Sequence, residues 1–287
     1  MVENKGKDKV FNWGVYIAAG LYALITLLPL LYVLANSLSA PDMVNKGRVS
    51  LWPIGFTFSN FQKVLSSEAI LRGYLNTFIY TILGTIITLV LQFTAAYPLS
   101  RRDLPCRKFW SLFYVVPMFI SGGMIPTYIV VTKLGLYNSR WAIILPGLIS
   151  TWNLILCRTY IMSVPEEMFD SAKVDGCTEF RFLLVILLPL IKPIIAVLII
   201  YYGVGHWNAW FNALLYLSDV SKHPVQIYLR KLLIQSSNEL AASAIELESS
   251  LQVRYCAMFV TVLPILAIYP FFQKYFTKGV MVGSLKG

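Results

Sequence analysis

Six separate stretches of this chain are each long and apolar enough to cross a bilayer: about Phe11–Asn36, Leu75–Leu99, Phe109–Thr132, Trp141–Met162, Leu183–Gly205 and Tyr255–Phe276. About 20 mostly apolar residues in helical form span the hydrocarbon layer. Inside that layer every backbone polar group must bond within its own segment, which leaves helices for a chain with this pattern. The expected fold class is therefore all-α and integral to the membrane, with about six transmembrane helices in a single domain over residues 1–287. Composition agrees. Only 13% of the residues are charged, about half the share found in soluble domains, and the mean hydropathy is +0.66. A water-soluble fold would lack the charges to cover its surface.

Lys5, Lys7 and Lys9 precede the first run, and Ala35-Asn36-Ser37 mimics a small-x-small cleavage site. The apolar stretch is much longer than the roughly 7–15 residues of a secretory leader, so it is expected to remain as the first helix. Lys and Arg gather at the cytoplasmic ends of spans. Arg101, Arg102, Arg107 and Lys108 thus place the loop after the second span in the cytoplasm. Parity then puts both termini, the loop 163–182 and the tail 277–287 on that side, with segments 37–73 and 206–251 outside. Lys222, Arg230 and Lys231 fall on the outer side, so the orientation rests on the 101–108 cluster and the N-terminus.

Several function classes are poorly served by these residues. The formal net charge of +10 is carried by short clusters flanking apolar runs, not by a basic stripe interleaved with exposed aromatics, so nucleic acid is not an expected partner. Cys106, Cys157, Cys177 and Cys256 form no C-x-x-C pair, and the chain has only His206 and His223, so no metal site is expected. No nucleophile stands near a histidine in sequence and no carboxylate pair lies within a span. No G-x-x-x-x-G-K-S/T loop occurs, so the chain does not bind ATP through a P-loop.

The informative stretch is Ser163 to Pro193. Ser163-x-x-Glu166 reads as a capping box with Pro165 in the first helical turn. Glu166, Glu167 and Asp170 suit the positive end of a helix dipole. Met168 and Ala172 share a face with Phe169 beside them. Gly176 can end the helix in the left-handed conformation, and Thr178 can cap a second helix that climbs into the fifth span.

At these residues the chain resembles the permeases of bacterial binding-protein-dependent ABC importers. Their cytoplasmic signature is Glu-Ala-Ala, three residues, Gly, nine residues, then Ile-x-Leu-Pro. That register falls on Asp170-Ser171-Ala172, Gly176 and Ile186-Leu187-Leu188-Pro189, with Asp for Glu and Ser for the first Ala. Tyr74-Leu75-Asn76-Thr77, Gly122-Gly123-Met124-Ile125-Pro126-Thr127-Tyr128, Leu134-Gly135-Leu136 and the tail Lys278–Gly287 extend the likeness to the carbohydrate branch. The tail looks like the end of the smaller permease of maltose-type importers. Within that branch the chain is most similar to permeases for complex oligosaccharides, including uronate-containing ones.

The resemblance implies the type I importer permease fold, with cytoplasmic termini, in the bacterial cytoplasmic membrane. It implies a non-catalytic subunit beside a second homologous permease, two ATPase subunits and an extracytoplasmic solute-binding protein. ATP and Mg would sit at the ATPases, with no cofactor on this chain. The short helix would dock in an ATPase cleft through Met168, Phe169, Asp170, Ser171, Ala172, Asp175 and Gly176, and Leu188 and Pro189 of the signature would belong to the same coupling set.

Polar residues inside spans point to a translocation path. Gln92, Asn153, Trp207, Asn208 and Trp210 are the candidates for contact with substrate. Each has a plainer role available, in helix packing for the amides and in the interfacial aromatic belt for the tryptophans. Arg158 reads as a headgroup anchor. Pro29, Pro117, Pro126, Pro146, Pro189, Pro193 and Pro264 are expected to kink helices. The competing function is a stand-alone secondary transporter driven by an ion gradient, which usually carries intramembrane charges or paired broken helices around a midplane site, and both are read as lacking here.

Overall fold

The computed structural model describes residues 5–234 and 251–284, and these form helices and turns, with no strand among them. Three helices are long and apolar enough to cross a membrane unaided, over Phe11–Ser37, Glu68–Ser100 and Leu251–Gln273. Two further spans are broken, which corrects the expectation that broken helices are lacking: Arg107–Phe119 turns into Met124–Lys133 at 116°, and Glu179–Leu190 into Lys192–Trp207 at 85°.

The breaks follow from local chemistry. Ser121-Gly122-Gly123 interrupts the third span, and Gly123 sits at φ +80°, outside the helical range. At the fifth span Pro189 and Pro193 each remove a helix donor and crowd the carbonyl four residues back. The chain answers with a π turn over Phe182–Leu187 and the bend at Ile191. Lys192, where charge inside a span would be costly, lies exposed at that bend. Other prolines do less than expected: the Lys5–Ser37 helix runs unbroken through Pro29, and Leu251–Ser284 runs unbroken through Pro264.

The expected fourth span, Trp141–Met162, is not one helix. A single turn over Trp141–Ile144 gives way at Pro146-Gly147, where Gly147 has φ +81°, before the helix Thr151–Ile161 begins. The apolar run is continuous in hydropathy but not in backbone. At 11 residues the Thr151–Ile161 helix is about 16 Å long, half of a hydrocarbon layer.

The chain divides into two compact units. The first comprises Met1–Leu71 with Tyr228–Pro264. In it the first long helix leaves its apolar window wholly unburied and packs only at its end, where Ala35, Asn36 and Ser37 are buried. The segment that follows is pinned to the start of the last helix by Gln252, whose amide bonds Asn60 and the Ser39 carbonyl. Val64, Val253 and Cys256 close an apolar cluster beside it.

The second unit comprises Arg72–Ile227 with Ile265–Gly287. Its main core gathers Phe93, Ala96, Leu154, Cys157, Leu187 and Leu198, so the Glu68–Ser100 helix, the Thr151–Ile161 helix and the bent fifth span share one interior. Gly84 lets the Glu68–Ser100 and Lys192–Trp207 helices come close, since a Cβ built there would stand 2.8 Å from the His206 ring. Val225–Ile234 is helical as the sequence suggests. The rest of the outer segment, 235–250, and the last three residues of the tail lie outside the described residues.

Candidate functional site

The helix expected to carry coupling spans Glu166–Val174. It begins directly after Pro165, whose extended backbone (ψ 138°) separates it from the preceding turn. The capping box expected at Ser163 does not form. Pro165 stands at the cap position without a side-chain cap, and the Ser163 hydroxyl donates back to the Tyr160 carbonyl at 2.6 Å. The first turn relies on Glu166 and Glu167 against the helix dipole.

The helix end is as expected. Gly176 has φ +74°, its N–H bonds the Lys173 carbonyl at 3.1 Å, and the Cys177 N–H bonds the Ala172 carbonyl at 2.9 Å. Those two bonds make a complete Schellman motif. Thr178 then caps the next helix, accepting from the Arg181 N–H at 3.4 Å. Helix, left-handed glycine and capped helix form a sharp elbow leading into the π turn.

The structure divides the expected coupling residues between two faces. Phe169 and Ala172 are buried. The Phe169 ring lies 4.6 Å from Phe182 and has the Arg101 guanidinium 4.2 Å from its centroid. Phe182 in turn stacks on Tyr97, whose hydroxyl donates to the Glu179 carboxylate. Arg102 reaches Glu166 at 3.5 Å on the surface, a pair of little energetic weight. Met168, Asp170, Ser171, Asp175 and Gly176 are exposed, as is Val174 at 87%. Leu188 is half-buried and Pro189 exposed beyond the elbow. The inward face thus fastens the helix to the end of the Glu68–Ser100 helix, and the outward face is free to meet another molecule. Sequence reasoning missed Tyr97, Arg101, Glu179 and Phe182. The available signal was an Arg pair at a span end facing an aromatic-rich loop.

The residues considered for the substrate path fall into two groups. Gln92 is wholly buried, and its Oε1 accepts from the Tyr202 hydroxyl at 2.9 Å. That hydroxyl accepts from the Ser150 N–H at 3.4 Å, and Ser150 caps the helix at the Asn153 N–H. Gln92 and the buried Asn153 therefore belong to one polar cluster organised by Tyr202, in which Gln92 Nε2 lacks a partner. Trp207 is buried against Tyr74 and Phe78, at 6.2 and 5.2 Å between ring centroids. Gln92 lies 14 residues beyond Phe78 on the same helix, about 21 Å at 1.5 Å per residue. Asn208 is exposed and accepts from Gln226 at 3.4 Å, while Trp210 is half-buried beside Phe211.

A polar clamp holds the turn that follows. Asn76 Nδ2 donates to the Ser221 and His223 carbonyls at 2.7 and 3.1 Å, and Tyr80 donates to the Lys222 carbonyl at 2.7 Å. Thr77 accepts from the Val225 N–H, and Arg140 donates to Asn76 Oδ1. Asn138, at φ 56°, accepts from the Asp219 N–H through its side chain. Hydrogen bonds from the Ser221 hydroxyl and N–H, with Lys222 alongside, hold the Asp219 carboxyl below its ordinary pKa. The Tyr74-Leu75-Asn76-Thr77 stretch therefore carries structural weight as a clamp.

Against this geometry the comparisons are decisive. The family described as "Binding-protein-dependent transport system inner membrane component" matches residues 92–282, which include the elbow and its spacing. This chain belongs to that family. The permease is 37% identical over its whole length to Protein LplC of Bacillus subtilis (strain 168), covering 98% of it. It is 36% identical over 98% of its length to all of the polygalacturonan/rhamnogalacturonan transport system permease protein YtcP of the same organism. Among solved structures, a chain of a bacterial ABC transporter involved in import of the acidic polysaccharide alginate superposes with a TM-score of 0.84. That match covers 94% of the permease and 98% of the other chain at 29% identity. The permease is thus an inner-membrane component of an importer, with apolar helices suited to that place.

Proposed function

We propose that this permease forms half of the passage through which an ATP-driven importer carries an acidic oligosaccharide delivered by an extracytoplasmic binding protein. The observation that carries the reading is the family match over residues 92–282 together with the elbow it contains: Asp170, Ser171 and Ala172 on a short helix, Gly176 left-handed after it, Pro189 at the bend. The sugar class is supported by the relatives: one serves polygalacturonan, a chain of uronate sugars, and the solved structure concerns alginate import.

In this reading a second permease completes the passage and two ATPase subunits bind ATP and Mg. The termini and the elbow face the cytoplasm, in keeping with the Arg101, Arg102, Arg107 and Lys108 cluster, of which Arg101 and Arg102 reach the elbow helix. The outward face of the Glu166–Val174 helix, chiefly Met168, Asp170, Ser171 and Asp175, meets an ATPase subunit. Phe169 and Ala172 act from within, transmitting its displacement to the Glu68–Ser100 helix. The ATPases can shift the permease between states only by binding those states with different affinity. For the passage, Gln92 and Asn153 remain the candidates nearest the middle of a span, with Trp207, Asn208 and Trp210 nearer its outer end.

The test is uptake by the assembled importer in proteoliposomes, with its binding protein and ATP. Labelled oligogalacturonate should enter saturably, and a neutral maltooligosaccharide of equal length should not. ATP-independent uptake by this chain alone under an ion gradient would instead establish a secondary transporter.

A further inference from the structure

The Arg107–Phe119 and Thr151–Ile161 helices pack together around a recess of about 460 Å³. Its walls are Arg107, Lys108, Ser111, Leu112, Val115 and Arg158. Three cations therefore share one opening, and among the described residues no carboxylate pairs with any of them. Their existing partners are neutral. Arg107 Nε donates to the Leu99 carbonyl at 3.2 Å, and its NH2 faces the Met162 sulfur at 3.7 Å. Arg158 donates to the Ser111 hydroxyl at 3.3 Å, while its Nε is buried without a partner. Partly desolvated guanidinium groups so close together repel unless an anion lies between them.

The walls also change character with depth. Arg107, Ser111 and Val115 are spaced four apart, as are Lys108 and Leu112, so each row runs from charge to hydrocarbon within two helical turns. Phe109 and Trp110 are exposed on the same first turn, the level at which aromatic side chains meet headgroups. A free anion would need only the cations. A phosphodiester with acyl chains would use the Leu112 and Val115 wall as well.

We propose that Arg107, Lys108 and Arg158 form a binding site for the phosphate of an anionic phospholipid, with its acyl chain against Leu112 and Val115. The site is independent of the sugar and of the coupling contact. Basic pockets between helix ends are suited to such headgroups, and each cation near the surface contributes to the attraction.

The experiment uses the assembled importer, delipidated in detergent and re-equilibrated with equal phosphatidylglycerol and phosphatidylcholine, then read by native mass spectrometry. The wild type should retain phosphatidylglycerol in preference. Lys108→Gln and Arg158→Gln should each weaken that retention about five-fold, and Arg158→Lys should restore part of it. Millimolar inorganic phosphate should not displace the lipid. Equal retention by wild type and both glutamine variants would overturn the proposal, as would displacement by phosphate, which marks a free-anion site. Loss of the ATPase subunits from the variants with lipid retention unchanged would also overturn it, by making the surface a subunit contact.

Discussion

The Tyr97 hydroxyl donates to the Glu179 carboxylate, joining the last turn of the Glu68–Ser100 helix to the first turn of the helix that follows Gly176. A hydrogen bond to a charged acceptor is worth about 1.5–3 kcal/mol. It ties together the two elements that would move in concert under the coupling mechanism proposed above. Tyr97→Phe and Glu179→Gln should each leave assembly intact and lower the amount of sugar imported per ATP hydrolysed. The double variant should be no worse than either single one. Additive losses would show that the two residues act separately.

The two faces of the Glu166–Val174 helix should respond differently to substitution. Phe169→Ala removes a buried ring from contact with Phe182 and Arg101 and should cost about 3–5 kcal/mol, read as a lower melting temperature of the assembled importer. Asp170→Lys changes an exposed side chain and should alter stability by no more than about 0.5 kcal/mol. It should nevertheless abolish ATP-driven uptake. Normal uptake by Asp170→Lys would remove the outward face from the ATPase contact.

Gly84→Ala would place a methyl group 2.8 Å from the His206 ring and force the imidazole aside, at an overpacking cost of about 1–3 kcal/mol. Gly84→Ala combined with His206→Ala should recover much of that loss. Thermal unfolding of the three variants measures the non-additivity, and strictly additive losses would show that the helices do not meet at this pair.

Asp219 supplies the pH dependence of the turn over Val220–Lys222. Its folded pKa is depressed, chiefly by the Ser221 hydroxyl and N–H, so its contribution is present above the unfolded value of about 3.8 and is lost as pH falls through the lower folded value. The protection of the Ser221 amide, taken relative to its intrinsic exchange rate at each pH, should fall below about pH 4. In Asp219→Asn that acid dependence should vanish.

Features decided by near neighbours were legible in the sequence. Gly176 ends its helix and Thr178 caps the next because left-handed backbone and side-chain capping are local choices. The long apolar runs showed the membrane class for the same reason. Features decided by distant partners were not legible. Nothing around Phe169 says that Arg101 and Phe182 will cover it, so an apolar residue on a short amphipathic helix looked like a contact for another protein. Ser163 had capping spacing, but the extended Pro165 turned the chain before that bond could form. In the Trp141–Met162 run, averaged hydropathy did not register that Pro146-Gly147 would end a helix after one turn.

That interruption has a cellular consequence. Irregular backbone at membrane depth is tolerated only where protein or a water-filled cavity covers it, and Leu145 and Gly147 are exposed on this chain. If the second permease of the proposed assembly covers this stretch, a copy inserted without it leaves Leu145 and Gly147 uncovered. Membrane proteases that survey for such exposure would clear the orphan. In the proposed assembly the number of importers would then be set by the scarcer of the two permeases.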